Sequence, residues 1–464
     1  MADNPTEILA RFVANAKYED LPDQALALGR SSLLDTSGTG LAGSASKGAK
    51  ALNGVLDSYA SADGAPVIGT DIRLPVPFAA MANGNSIHSD DFDDTLRADP
   101  NAEGYHGSTH PSGPLLSALM ALTDKRKVNG KDFQIAYHVG MELMAKINSA
   151  LGPRSFSAGF HPTAIMSAFG ATAAAAKIKG LSEANIATSL GICASHACGL
   201  RANFGSMMKP YHPGHGAMSG LLAAEMAEGG ITASADAIGG DIGFLNAYGD
   251  SIDIRPLEAL GNPWAIIEPG IWIKPYPSGN LTHPAMSNLR AQLEKNDAKP
   301  EEVVSLAIQT KQSIYNTLIH HHPKTGLQSK FSMEFCLVKI LVDGYLGLDD
   351  FSDAVVQRDD IQNMLANTIY SPFPDDEGAA KGYENYTTLV TFTLKDGREF
   401  TERADYGKGS HMDPMTYEEV AEKARACSDY KGWPKDKFDA LVDGWKNIDD
   451  CTDVRNVTQH LFKG

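Results

Sequence analysis

The chain reads as mainly α: a large all-helical domain formed by both chain ends, with a smaller inserted α+β domain. Three observations support that expectation. Residues 1–271 are a succession of apolar-periodic and Ala/Gly-rich segments without strand-like alternation. Residues 272–408 change texture and bring β-branched and alternating runs. Helical signals then return, and residues 409–464 are assigned to the same helical domain as 1–271.

Taken in order, Asn4-Pro5-Thr6-Glu7 offers a cap, a first-turn proline and a Glu three residues after the cap, ahead of Ile8, Leu9, Phe12 and Val13. Further helices are expected near 24–40, 77–88, 112–124, 131–150, 162–178, 182–198 and 216–228. The small side chains from Phe169 to Ala176 and from Ala217 to Ala227 let helices approach closely, which marks both as buried. In the inserted part, Val303 to Thr310 fits a strand and Ser332 to Leu346 a helix. Tyr386 to Leu394 alternates, then passes through Asp396-Gly397 into Arg398 to Thr401, which predicts a hairpin with a type I′ turn. Thr416 and Glu419 form a possible capping box at the start of the returning helices.

At about 150 residues per domain, 464 residues make two or three domains. A hydrophobic fraction of 43% is ample for a sizeable core. The net charge of −17 argues against a nucleic-acid partner, which would need a basic face, and requires any polycarboxylate site to be locally positive. No apolar run reaches the ~18 residues of a membrane span. The start, Met1-Ala2-Asp3-Asn4-Pro5, lacks the basic and apolar regions of a signal peptide. Five scattered cysteines (193, 198, 336, 427, 451) do not suggest a disulfide framework. These points together predict a cytoplasmic, reduced protein with no membrane or nucleic-acid partner.

The chemistry-bearing residues cluster beside Pro and Gly, where regular elements begin or end. Gly159-Phe160-His161-Pro162, Lys209-Pro210-Tyr211-His212-Pro213-Gly214 and Lys274-Pro275-Tyr276-Pro277 running on to His283-Pro284 supply ammonium and imidazole groups. His110-Pro111-Ser112-Gly113 precedes an apolar helix, as does His161-Pro162, and a His at a helix N-terminus is held neutral by the positive dipole end. His88-Ser89-Asp90-Asp91-Phe92-Asp93-Asp94-Thr95 supplies carboxylates. If 85–95 is helical, His88, Asp91 and Thr95 share one face, and acids this dense raise the pKa of at least one of them. Lysine to fix a carboxylate and histidine to move protons suit chemistry on an anionic acid.

The Asp90–Asp94 run also resembles the Mg²⁺ site of an all-helical terpenoid synthase, but no second acidic motif accompanies it and the His/Lys stretches would go unexplained. Cys193 and Cys198, with His196 between, read as structural thiols on a buried helix. His320-His321-His322 reads as an exposed loop. Gly239-Gly240-Asp241-Ile242-Gly243 lacks the strand–helix context of a nucleotide loop.

In this series of motifs, from Asn83-Gly84 through Asp91-Phe92-Asp93-Asp94-Thr95, His110-Pro111-Ser112-Gly113, Gly159-Phe160-His161-Pro162, Lys209-Pro210-Tyr211-His212-Pro213-Gly214, and Lys274-Pro275-Tyr276-Pro277 to His283 and Lys330-Phe331-Ser332, the chain resembles the MmgE/PrpD family. That family contains 2-methylcitrate dehydratases, cis-aconitate decarboxylases and an iminodisuccinate epimerase. The resemblance implies a helical domain fed by both chain ends, a small α+β domain between, a homodimer, and no metal or organic cofactor. It implies a pocket of Asp91, Thr95, His110, His161, Lys209, His212, Lys274 and His283. The segment between Thr95 and His110 is longer than in the decarboxylases, adding Arg97, Asp99, Glu103 and His106. Around Asn203 to Lys209 and Pro263 to Ile267 the wording is similar to the epimerase.

The expected activity is cofactor-independent chemistry on a small di- or tricarboxylate. Asp91, His110, His161 and Lys209 are the catalytic candidates; Thr95, His212, Lys274 and His283 are the substrate-binding candidates. A base removes the proton beside a carboxylate and nearby positive charge stabilises the carbanion. Expulsion of a β-hydroxyl makes a hydro-lyase, the favoured outcome. Reprotonation on the opposite face makes an epimerase, and loss of CO₂ makes a decarboxylase. A non-catalytic carboxylate-binding protein is the alternative from another class.

Overall fold

The computed structural model describes residues 4–97, 108–250, 252–374 and 381–463. Helices take up 58% and strands 9%, so the protein is mainly α with a small sheet. The chain divides into two compact units, Met1–Ile273 with Thr416–Gly464, and Lys274–Met415.

In the first unit the helix Met208–Glu228 is the hub, packing against Pro162–Lys179 and Val76–His88. Glycine makes these crossings possible. A methyl group at Gly84 would lie 2.7 Å from the Gly214 Cα, and one at Gly216 would lie 2.3 Å from the Ser167 Cβ. Such contacts bring backbones together in a way no larger residue permits. Gly130–Ala150 covers the other side of Pro162–Lys179, and Asp23–Gly43 packs on the returning helix Tyr417–Lys431. Leu33, Leu34, Phe133, Tyr137, Phe169 and Trp445 are fully buried. Asn4 caps the first helix through the Thr6 N–H, and Thr416 and Glu419 form the capping box at the start of the tail. Among the described residues, no helix is long and apolar enough to cross a membrane.

Among the described residues, the second unit holds a four-stranded sheet in the order Thr368–Pro372, Val303–Thr310, Thr388–Leu394, Glu399–Ala404. The first pair is parallel and the other two antiparallel. Thr388, Val390, Phe392 and Leu394 alternate onto the buried face, where the helix His283–Lys295 packs.

Three local expectations need correction. The hairpin turn has positive φ at Gly397 alone rather than at both central residues. The Leu394 N–H bonds the Arg398 carbonyl around it, so the turn is a type I turn closed by a left-handed glycine and not type I′. The helix expected from 216 begins at Met208, because Pro210 sits in the first turn, where a missing N–H costs nothing. Residues 85–95 are not one helix: it ends at His88 and the chain then turns.

Candidate active site

The turn after His88 aims three aspartates in three directions. Asp91 takes up a left-handed conformation (φ 53°), which short polar side chains tolerate better than bulky ones. From the other end of the chain, Lys423 donates to the Phe92 carbonyl at 2.7 Å, and its ammonium lies 3.9 Å from the centre of the Phe92 ring. The same ammonium pairs with buried Asp35 at 2.6 Å. Thus anchored, the loop points Asp91 at Lys209, Asp93 at His88 and Asp94 at Ser112.

Lys209 and His212 lie in the first turns of the Met208–Glu228 helix, one turn from the Gly84/Gly214 crossing, and that crossing sets them against the end of the Val76–His88 helix. Buried Lys209 donates to Asp91 Oδ1 at 2.5 Å and to His88 Nε2 at 3.0 Å. An ammonium can only donate, so His88 Nε2 is an acceptor and its ring proton sits on Nδ1, facing both Asp93 oxygens at 2.8 and 2.9 Å. Ligand atoms of His88, Asp91, Asp93 and His110 lie within 4.8 Å of one another, a spacing that could hold a metal ion, and the Lys209 ammonium bonds two of the four, Asp91 and His88.

His110 is fixed from behind. Its Nδ1 donates to the Asp94 main-chain carbonyl at 2.9 Å, which leaves Nε2, 3.8 Å from Asp91, as the atom that can gain or lose a proton. His161 precedes the helix Pro162–Lys179 and is held by its own N–H to the Gly199 carbonyl at 3.0 Å. Its Nδ1 meets His212 Nδ1 at 3.0 Å, so one ring donates and the other accepts. The His88 ring lies 4.5 Å from that of His110 and 6.3 Å from that of His161, centre to centre. Thr95 pairs with Trp272 in a two-residue ladder, and its buried hydroxyl has no hydrogen-bond partner among the described residues.

Burial dominates the electrostatics. It lowers the pKa of His88 against the opposing pull of Asp93. It drives His161 well below its ordinary value, helped by Lys209, His212, His88 and His110, and takes His212 down to about 4. Near pH 7 these three imidazoles are uncharged proton acceptors. Desolvation is the largest cause at all three; helix position was expected to hold His161 neutral as well, though not His88 or His212. Burial also raises Asp94 to about 8, with the charges of Asp35 and Asp93 adding to it. Asp94 is the raised acid that crowding predicts, but it faces Ser112, which also meets the Tyr137 hydroxyl at 2.5 Å.

The profile of the MmgE/PrpD N-terminal domain matches residues 7–256, and that of the MmgE/PrpD C-terminal domain matches residues 276–447. The chain belongs to the MmgE/PrpD family. Similar curated proteins include human cis-aconitate decarboxylase, 28% identical across 100% of this chain and 95% of the relative. The mouse cis-aconitate decarboxylase is 26% identical across 100% and 94%, and that of Aspergillus terreus 24% across 91% and 89%.

Within this MmgE/PrpD chain, Asp91, His110 and Lys209 form one group and His161 and His212 a second, with the His88 ring between them, bonded to Lys209 and 6.3 Å from the His161 ring centre to centre; Thr95 follows four residues after Asp91. Lys274 and His283 belong to the inserted unit, where both are buried and His283 begins a helix. Asp99, Glu103 and His106 lie outside the described residues; Arg97 is buried, its guanidinium 5.1 Å from the centre of the Trp272 ring. Cys193 is a buried free thiol and Cys198 an exposed one. The expectation of an exposed triple-His loop is corrected at His321, which stacks on Tyr315 at 4.3 Å and pairs with Glu334 at 3.1 Å. His88 and Asp93 join the site without having been among the residues expected there. Their five-residue separation becomes a contact only because the chain turns at Asp91, and no local pattern announced that turn.

Proposed function

We propose that the protein is a cofactor-independent lyase acting on a small di- or tricarboxylic acid through a carbanion next to a carboxylate. The observation that carries this reading is the buried Lys209 ammonium, bonded to Asp91 and set among imidazoles that are neutral near pH 7. An ammonium in a poorly solvated site stabilises negative charge developing on a neighbouring carboxylate far better than water does. A neutral imidazole can accept the carbon-bound proton, and the carboxylates of an arriving substrate raise its basicity by opposing its desolvation. His161 is the proposed base, Lys209 the charge stabiliser, and Asp91 and His110 the groups that return or supply protons. His212 and Thr95 are assigned to substrate binding on their positions. Lys274 and His283 are assigned to it on the family resemblance alone, as is the homodimer; a cytoplasmic location is proposed from the five scattered cysteines.

Two outcomes are retained. Loss of a β-hydroxyl gives a 2-methylcitrate dehydratase-like hydro-lyase. Loss of CO₂ from a cis-aconitate-type acid is favoured by full-length likeness to proteins named for that reaction. Incubation with 2-methylcitrate, citrate, cis-aconitate and iminodisuccinate, with products resolved by chromatography and CO₂ captured, separates dehydration, decarboxylation and epimerisation. Turnover of at least one acid is expected, cut at least a hundredfold in His161→Ala, the scale of a lost acid/base group. Near-normal turnover in that variant contradicts the assignment of the base. Binding of these acids with no turnover favours a carboxylate-binding protein.

A further inference from the structure

Asp93 and His88 lie behind Lys209 and take no part in the steps above, yet both are buried completely or almost so. We propose that Asp93 is a positioning residue: by holding His88 in its Nδ1–H form, it keeps His88 Nε2 as the acceptor that seats the Lys209 ammonium against Asp91. This rests on the reading of Lys209 just given. The chain of bonds has one direction. Asp93 accepts from His88 Nδ1 through both oxygens, at 2.8 and 2.9 Å, and His88 Nε2 accepts from Lys209 at 3.0 Å. An imidazole with the opposite tautomer would point an N–H at an ammonium, and two donors face to face repel. Lys209 would then leave Asp91, and the positive charge would leave its place.

The seat of Nδ1 on both carboxylate oxygens makes this testable. Asp93→Asn keeps one oxygen as an acceptor for Nδ1–H, so the ring keeps its tautomer and Lys209 its seat. Asp93→Leu keeps the branched shape but offers no acceptor, which leaves the Nδ1 proton unpaired and the ring unheld. Turnover of Asp93→Leu is therefore expected to fall roughly tenfold or more below that of Asp93→Asn. A merely structural role for Asp93, in which only the filled volume matters, gives the two variants equal turnover.

The second measurement needs no substrate. In ¹⁵N-histidine NMR of the wild-type protein, with the His88 signals identified by their loss in His88→Gln, Nδ1 is expected to carry the proton, and to carry it still in Asp93→Asn; in Asp93→Leu that preference is expected to be lost. A wild-type His88 protonated on Nε2, or Asp93→Leu as active as Asp93→Asn, overturns the proposal. If neither variant folds, the wild-type spectrum alone decides it. If no acid in the panel turns over, the spectrum still tests the tautomer, so the failure of this inference and that of the functional reading are separable.

Discussion

Asp94 shows how far a residue's neighbours decide its chemistry. Four acids stand between positions 90 and 94, and crowding alone says that one of them holds its proton. Which one depends on burial, which spacing does not reveal. Asp94 is fully buried against Ser112 and its pKa is raised to about 8 from an ordinary 3.8, first by desolvation and then by Asp35 and Asp93. A carboxyl whose folded pKa exceeds its unfolded value contributes stability that is fully present below the unfolded pKa and is lost as pH rises through the folded one. Wild-type protein is therefore expected to lose stability between pH 6 and pH 9 to an extent that Asp94→Asn does not, since the amide mimics the protonated acid. Urea denaturation of both proteins at the two pH values checks this. Glu334, raised to about 7, contributes equally to both and cancels in the difference. Parallel pH dependence of the two proteins counts against a buried neutral Asp94.

At the scale of elements, most helices were legible because their apolar periods and punctuating Pro and Gly residues are local. Pro162–Lys179, Gly130–Ala150 and the capping box at Thr416 follow their sequence signals closely. The errors fell where tertiary contact outweighs local preference. The Lys209-Pro210-Tyr211-His212-Pro213 stretch fell outside the helix expected near 216–228, yet it is the first turns of a helix pressed into its neighbours through glycine. Gly214→Ala tests that account by its sign. In an exposed helix interior, Gly→Ala stabilises by about 0.5–1 kcal/mol, as expected for Gly54, which has open space around it. A methyl at Gly214 would meet the Met81 carbonyl oxygen at 2.2 Å, so Gly214→Ala is expected to destabilise by about 1–3 kcal/mol, the usual cost of overpacking. Activity is expected to fall with it, because the helix carries Lys209 and His212. A stabilising Gly214→Ala would contradict the close crossing. Thermal denaturation of the two variants side by side decides the sign.

Across the whole molecule, the candidate site draws on residues from His88 to Lys423, whose ammonium fixes the aspartate loop from the returning tail. Single stretches announced their chemistry through residue type, and the family motifs marked their order along the chain. The pairings were invisible: nothing local joins Lys423 to Phe92, or His88 to Lys209, because those contacts are set by packing among distant helices. What the molecule as a whole is for comes down to one claim, that Lys209 and its imidazole neighbours labilise a bond beside a carboxylate. Proton NMR of the acid panel in D₂O tests it most directly, since carbanion formation leaves an isotopic trace even without net product. Deuterium is expected at the carbon next to a carboxylate, in substrate or product, at a rate at least a hundredfold above that of Lys209→Ala. Unlabelled carbon in every acid that binds the wild-type protein, or equal labelling by Lys209→Ala, would contradict the account.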